Sequence, residues 1–280
     1  MTRVFFSVSF VLMIVGSTIA FPKPQPTDKG IVLSPETATW SQIGHRVVGD
    51  IAQSYLTRKT KRRIKKVLGT ESVAMSSNWA DFIKSDTAMS YLDSWHYINI
   101  KGGFDTLQFK VYLSQDTAVD AYTKLNFLLD ELKKPSLSQE KKAFYVRFLI
   151  HLVGDIHQPM HVSHKEDLGG NKVMVSWFNE PTNLHAVWDE KLIMYQKLSY
   201  TEYSTSINYT TKVQRRIWQQ QPISDWFYES YKLADHVYAG ITQPNQKLSY
   251  RYNYDNIDIV NQQLLKGGVR LAGILNDLFK

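Results

Sequence analysis

The sequence predicts an all-α protein: a single helical domain with at most one short β-hairpin. Three observations carry that expectation. Apolar residues recur at helical spacing from Trp40 onward, proline and serine punctuate the runs, and alternating strand-like segments are rare. Taking the elements in order, Ile43, Val47, Ile51 and Tyr55 recur every four residues and give a first helix one apolar face. The run Arg58-Lys59-Thr60-Lys61-Arg62-Arg63 with Lys65-Lys66 reads as a solvated turn and helix face, and only secondarily as a phosphate-binding patch. A long helix is expected over residues 116–132, with Ala121, Leu125, Leu128 and Leu129 inward. Pro135 ends it, and Ser136 with Ser138 can cap the next. That helix runs from Gln139 to about Gln158, carries Phe144, Phe148, Leu149 and Leu152, and stops at Pro159. Residues 172–178 alternate weakly and suit a short strand after a Gly169-Gly170 turn. Asn183 caps a helix reaching about Tyr195, and residues 224–239 and 256–278 form two more. Consecutive helices are expected to pack antiparallel as a bundle.

The 280 residues suit one large domain or two small ones, and no internal repeat divides them. The absence of cysteine excludes disulfides, thiolate metal ligands and a cysteine nucleophile. A formal charge of +7 attracts polyanions, although an excess of this size reads first as ordinary solubility charge. Arg3, the apolar residues 4–14 and Thr18-Ile19-Ala20 have the layout of a secretory signal. Residues 1–20 are therefore expected to be a signal peptide, residues 21–39 a linker or pro-segment, and residues 40–280 the functional domain of a secreted or periplasmic protein. No other segment is long and apolar enough to cross a bilayer, so stable membrane insertion is not expected. Nothing in the sequence points to a protein partner.

The histidines carry the chemical signal. His151 and Asp155 stand four apart on a predicted helix, so both project from one face within reach of a single ion. His185 and Asp189 repeat that spacing, and His161 lies just beyond the Pro159 break. A single pair of this kind reads first as a core histidine satisfied by a carboxylate. Two pairs, with His161 beside a helix break, shift the reading toward metal. Without thiolates, zinc takes imidazole nitrogen and carboxylate oxygen. His45, Asp81 and His96 each read singly as structural.

Together these residues resemble the S1/P1 nuclease family. The family pattern is Trp-x4-His, then Trp-Ala-Asp, a His-aromatic segment, His-x3-Asp-x5-His, Gly-Gly-Asn and Asn-Leu-His-x3-Asp. This sequence matches it with Trp40 and His45, Asp81, His96, then His151, Asp155 and His161, Gly169-Gly170-Asn171, and Asn183-Leu184-His185 with Asp189. The resemblance implies three zinc ions. One would take Asp81, His96, His151 and Asp155; a second His45, a bridging Asp155 and the Trp40 backbone; the third His161, His185 and Asp189. It also implies an all-helical enzyme that cuts single-stranded nucleic acid to 5′-nucleotides, with a metal-activated hydroxide as nucleophile and with 3′-nucleotidase activity. Asp155 and Lys84 would serve catalysis, and Tyr97, Asn99 and Asn171 would hold the base.

Two departures stand out. Asn99 replaces an aspartate of fungal members, which changes the donor-acceptor pattern offered to a base. Trp40 binds zinc through a free amino terminus in the family, so a cleavage before Trp40 is expected in addition to one after Ala20. Two rivals share the ligand chemistry: a zinc phospholipase C, and a non-catalytic helical binding protein stabilised by zinc. The short Trp40–His45 gap and the final Asp189 favour the nuclease over the phospholipase. The complete ligand set and Lys84 favour an enzyme over a binding protein.

Overall fold

The computed structural model describes residues 41–280. The expected signal peptide, the 21–39 segment and Trp40 lie outside the described residues. The chain is helical from its first described turn. In order it forms α1 (Gln42–Tyr55), α2 (Arg58–Leu68), and the short α3 (Val73–Ser76) and α4 (Trp79–Phe82). A 3₁₀ stretch, Thr87–His96, leads to β1 (Ile98–Ile100), α5 (Thr106–Gln115), α6 (Ala121–Leu132) and α7 (Gln139–Asp155). A 3₁₀ turn, Pro159–His161, enters β2 (Val162–His164), followed by β3 (Met174–Trp177) and β4 (Glu180–Asn183). Then come α8 (Leu184–Ala186), a π turn over Val187–Lys191, α9 (Leu192–Tyr195), α10 (Tyr200–Ile207), α11 (Lys212–Gln220) and α12 (Ile223–Ala239). β5 (Gln246–Leu248) and α13 (Tyr250–Leu278) complete the chain.

The all-α class holds, with local corrections. The helix expected over 116–132 begins at Ala121. The Asp116 carboxylate instead accepts the Ala118 N–H at 2.9 Å, and Asp120 caps α6 by accepting the Thr123 N–H at 3.0 Å. α7 ends at Asp155, and the Gln158 side chain then accepts the Met160 N–H at 2.6 Å to start the next turn. The last helix starts at Tyr250, six residues earlier than its periodicity suggests. The single expected hairpin is present as β3–β4, but β5 joins β3 in parallel and β1 pairs with β2. Three-residue strands are too short to display alternation, so periodicity could not report them.

The core is built around α1, which packs on α3, α7, α10 and, most extensively, α13. The first and last described helices are thus neighbours, an arrangement that consecutive antiparallel packing does not anticipate. Close approach is set by glycine. A Cβ on Gly268 of α13 would lie 2.5 Å from Ile51 Cγ2, and one on Gly49 of α1 would lie 2.7 Å from the Ala74 Cα of α3. Behind the end of α7, fully buried Arg270 donates to His157 Nε2 at 2.8 Å and to Glu229 Oε2 at 2.6 Å. His157 in turn donates from Nδ1 to the Val153 carbonyl at 2.7 Å. Burial, then the Arg270 charge, pushes the His157 imidazole down to about 3, so it stays neutral and accepts the guanidinium. This clasp fixes the α7 terminus that carries Asp155.

Gly268→Ala tests the α1–α13 contact. Alanine gains roughly 1 kcal/mol in helix propensity, but overpacking against Ile51 costs about 1–3 kcal/mol. A lower urea midpoint than the parent is expected; a higher one would mean that the helices part at no cost.

Candidate metal centre

Seven separate pieces of chain deliver side chains to one buried pocket. α1 brings His45, α4 brings Asp81, and the 3₁₀ stretch after it ends on His96. α7 presents His151 and Asp155 one turn apart. The Pro159–His161 turn folds His161 back, α8 supplies His185, and the π turn supplies Asp189. Asn183 Oδ1 caps α8 by accepting the Ala186 N–H at 2.8 Å, as its sequence position suggests. All are buried except Asp81, whose side chain keeps 16% exposure and forms the rim.

Asp155 is the hub. Its Oδ2 lies 3.0 Å from both His96 Nδ1 and His151 Nε2. Its Oδ1 lies 3.4 Å from His45 Nε2 and 3.3 Å from His161 Nδ1. Asp81 Oδ1 closes the first cluster at 3.5 Å from His151 Nε2 and 3.8 Å from His96 Nδ1. Asp189 spans the other side, with Oδ1 at 3.1 Å from His161 Nε2 and Oδ2 at 3.2 Å from His185 Nε2. Donor atoms around a tetrahedral ion with arms of about 2.0–2.1 Å sit roughly 3.3 Å apart, the scale seen here. Three sets have donors that converge closely enough for one ion each: His45, His151 and Asp155; Asp81, His96 and His151; and His161, His185 and Asp189.

Backbone carbonyls aim several of the rings. His151 Nδ1 donates to Ser77 O at 2.6 Å, His161 Nδ1 to His96 O at 3.1 Å, and His185 Nδ1 to Gly169 O at 2.7 Å. Each Nε2 lone pair is thereby left facing the pocket, the outer-shell arrangement that metal-binding histidines use. Gln158 Nε2 donates to Asp189 Oδ1 at 2.6 Å and orients that carboxylate. The charges are strongly linked. Burial alone would raise the Asp155 carboxyl, but His151 and His161 outweigh it and hold it well below the usual range. Asp189 is also held low, burial being outweighed by His161 and His185. His161 is pushed up to about 10, because Asp189 and Asp155 outweigh its burial. Without metal, protons on His151 and His161 do part of the neutralising that cations would do, while burial pushes His45 and His96 down.

Glycines make room for this crowding. A Cβ on Gly154 would sit 2.7 Å from His45 Nδ1, and one on Gly169, at φ +63°, would sit 2.5 Å from Met160 O. Gly154 and Gln158 were not among the residues singled out from sequence; an isolated glycine inside an otherwise helical run was the available signal. Lys84 Nζ stands 2.8 Å from Asp81 Oδ1 at the rim. Tyr97 follows His96 and is 41% exposed. Asn99 lies on β1, with Oδ1 3.4 Å from where a Gly169 side chain would begin. Asn171 is exposed in the loop after Gly169-Gly170 and donates to Leu168 O at 2.8 Å. His157, His164 and His236 lie outside the three donor sets: His157 is held by Arg270, His164 stacks on Tyr238, and His236 is exposed on α12.

Residues 40–280 match the S1/P1 nuclease family. Endonuclease 3 of Arabidopsis thaliana is 30% identical over 270 residues, covering 86% of this chain and 89% of that protein. Nuclease P1 of Penicillium citrinum is 28% identical over 272 residues, 85% of this chain and 97% of its own. Nuclease S1 of Aspergillus oryzae is 31% identical over 173 residues, 58% of this chain and 57% of its own.

Two outcomes test the geometry. Gly154→Ala should displace the His45 ring: metal content of the purified protein drops, although alanine favours helix. Undiminished metal content would show that the ring has other room. In the chelated protein, the stability contributed by the raised His161 is fully present below its ordinary value of 6.5 and is lost as pH rises through about 10. The melting temperature should therefore fall over that window, and His161→Asn should flatten the fall. An unchanged slope in the variant would refute the ion pairing.

Proposed function

This chain belongs to the S1/P1 nuclease family, and from that premise we propose that it is a secreted, zinc-dependent phosphodiesterase cleaving single-stranded DNA and RNA to 5′-nucleotides. Its activity is of the S1/P1 endonuclease type, which sets aside the phospholipase and binding-protein rivals. Removal of terminal 3′-phosphates belongs to the same reading. The observation that carries it is the convergence of five imidazoles and three carboxylates, in three donor sets, on one pocket with an exposed rim. The donors are nitrogen and carboxylate oxygen at tetrahedral spacing, which suits zinc; magnesium and calcium prefer all-oxygen shells. Buried His96 Nε2, Asp155 Oδ1 and Asp189 Oδ2 have no hydrogen-bond partner among the described residues, so the pocket has coordination capacity left over.

In this reading Asp81, His96, His151 and Asp155 would hold one ion, and His45 and Asp155 would hold a second with the Trp40 backbone. His161, His185 and Asp189 would hold the third. Zinc held there would supply Lewis acidity and would lower the pKa of water toward neutrality. The protein's own residues do the rest. Asp155, its carboxyl kept ionised by the imidazoles, has His45 and His161 beside one oxygen and His96 and His151 beside the other. Lys84 stands at the rim, where its ammonium neutralises charge developing on the phosphate. Tyr97 stacks the base, and Asn99 and Asn171 meet its edge; a base held this way must be unpaired, which selects single strands. The secretory signal and the 21–39 segment are removed. The family match begins at Trp40, which supports a mature chain with a free amine there. No helix among the described residues is long and apolar enough to cross a membrane. Nucleic acid is the only partner the reading requires.

The deciding experiment is zinc stoichiometry with product analysis on single-stranded DNA. One zinc per donor set and 5′-phosphorylated products are expected, with hydrolysis lost on chelation and restored by zinc. A zinc-loaded protein that leaves single strands intact would overturn the reading. Lys84→Ala should lower kcat about a hundredfold with zinc content held; an unchanged kcat would remove Lys84 from catalysis. Amino-terminal sequencing of secreted protein should return Trp40, and a fully active chain beginning at Phe21 would refute the need for that amine.

A further inference from the structure

A cleft of about 640 Å³ opens beside Asp81, and none of Asn99, Gly169 and His185 lines it. Asp81 and Lys84 line it together with Gln42, Arg46, Asn78 and Phe82. Phe82 is the anomaly. It directly follows Asp81 and stands 78% exposed among polar lining residues. Arg46 follows His45 on α1 and pairs with no carboxylate among the described residues; its Nε is buried without a hydrogen-bond partner. An exposed ring in a cleft that two cations also line is a combination that binds unpaired nucleotides, because every base has a stackable face and every phosphate a charge. Neither Phe82 nor Arg46 has a part in the mechanism given above.

We infer that this cleft is a second nucleotide subsite for the single-stranded substrate, with Phe82 stacking a base and Arg46 taking a backbone phosphate. The strand would then occupy both places, with one base beside Asn99 and Asn171 and another on Phe82 next to Asp81. Asn78 and Gln42 offer amide and carbonyl groups to the edge of that second base. The inference rests on the nuclease reading and adds to it a requirement for substrate length.

The test compares two substrates in the zinc-loaded mature protein beginning at Trp40: a single-stranded hexathymidylate, which reaches both subsites, and the p-nitrophenyl ester of thymidine 5′-phosphate, which carries one nucleoside. Phe82→Ala should lower kcat/KM for the hexanucleotide at least about fivefold more than for the ester, chiefly through KM, and Phe82→Trp should restore it. Arg46→Gln should shrink the slope of log kcat/KM against log salt on the hexanucleotide by about 0.7, one phosphate contact's worth for a single strand. Zinc content equal to the parent's establishes that neither variant acts through Asp81 or His45. Equal losses on both substrates, or no loss on either, would overturn the subsite. Parent protein with full zinc that cleaves neither substrate would instead overturn the nuclease reading, and this inference with it.

Discussion

A carboxylate cannot be taken out of water without a cation to meet it, and Asp155 is 1% exposed. That constraint organises the molecule. Four imidazoles from four stretches of chain lie within 3.4 Å of its two oxygens. Each is brought there by a separate device: a glycine in α7 that admits His45, a 3₁₀ stretch that ends on His96, a helical turn that aligns His151, and a proline-led bend that returns His161. A pocket built this way is poised for cations whichever way they arrive. Protons on His151 and His161 fill part of that role in the free protein, and a divalent ion would compete with them for the same lone pairs.

The parts of this arrangement that are local in sequence were legible from it. His151 with Asp155 and His185 with Asp189 declare themselves through four-residue spacing, and Asn183 through its place ahead of a helix. The Pro159 break marks where the chain reverses. What could not be read is what joins distant segments. Nothing near His45 announces that its ring lies against Gly154, or that Ser77 supplies the carbonyl that orients His151. The resemblance to a known family filled that gap, because an ordered set of motifs stands in for contacts that a single sequence cannot display. Fold details divided the same way. Long amphipathic helices were visible, whereas the three-residue strands β1, β2 and β5 exist only through partners elsewhere in the chain.

The clasp behind α7 shows how the core and the pocket share one framework. Arg270 on the last helix holds His157, and Gln263 on the same helix donates to the His157 carbonyl at 3.1 Å. Two residues upstream lies Asp155. The longest helix therefore acts as a backstop for the carboxylate hub, and the Gly268 contact with Ile51 ties the same helix to α1 and its His45.

The π turn over Val187–Lys191 has a consequence of its own. A regular helix advances about 100° per residue, so one extra residue in a turn rotates everything after it by that angle. Here it lets one continuous rod show His185 and Asp189 to the pocket while Leu192 and Ile193 still point into the core. Deleting a residue would restore an ordinary helix and its hydrogen bonds, but one of the two faces would then be misdirected. The widened turn is thus a phase shifter, kept where chemistry and packing demand incompatible registers from a single length of chain.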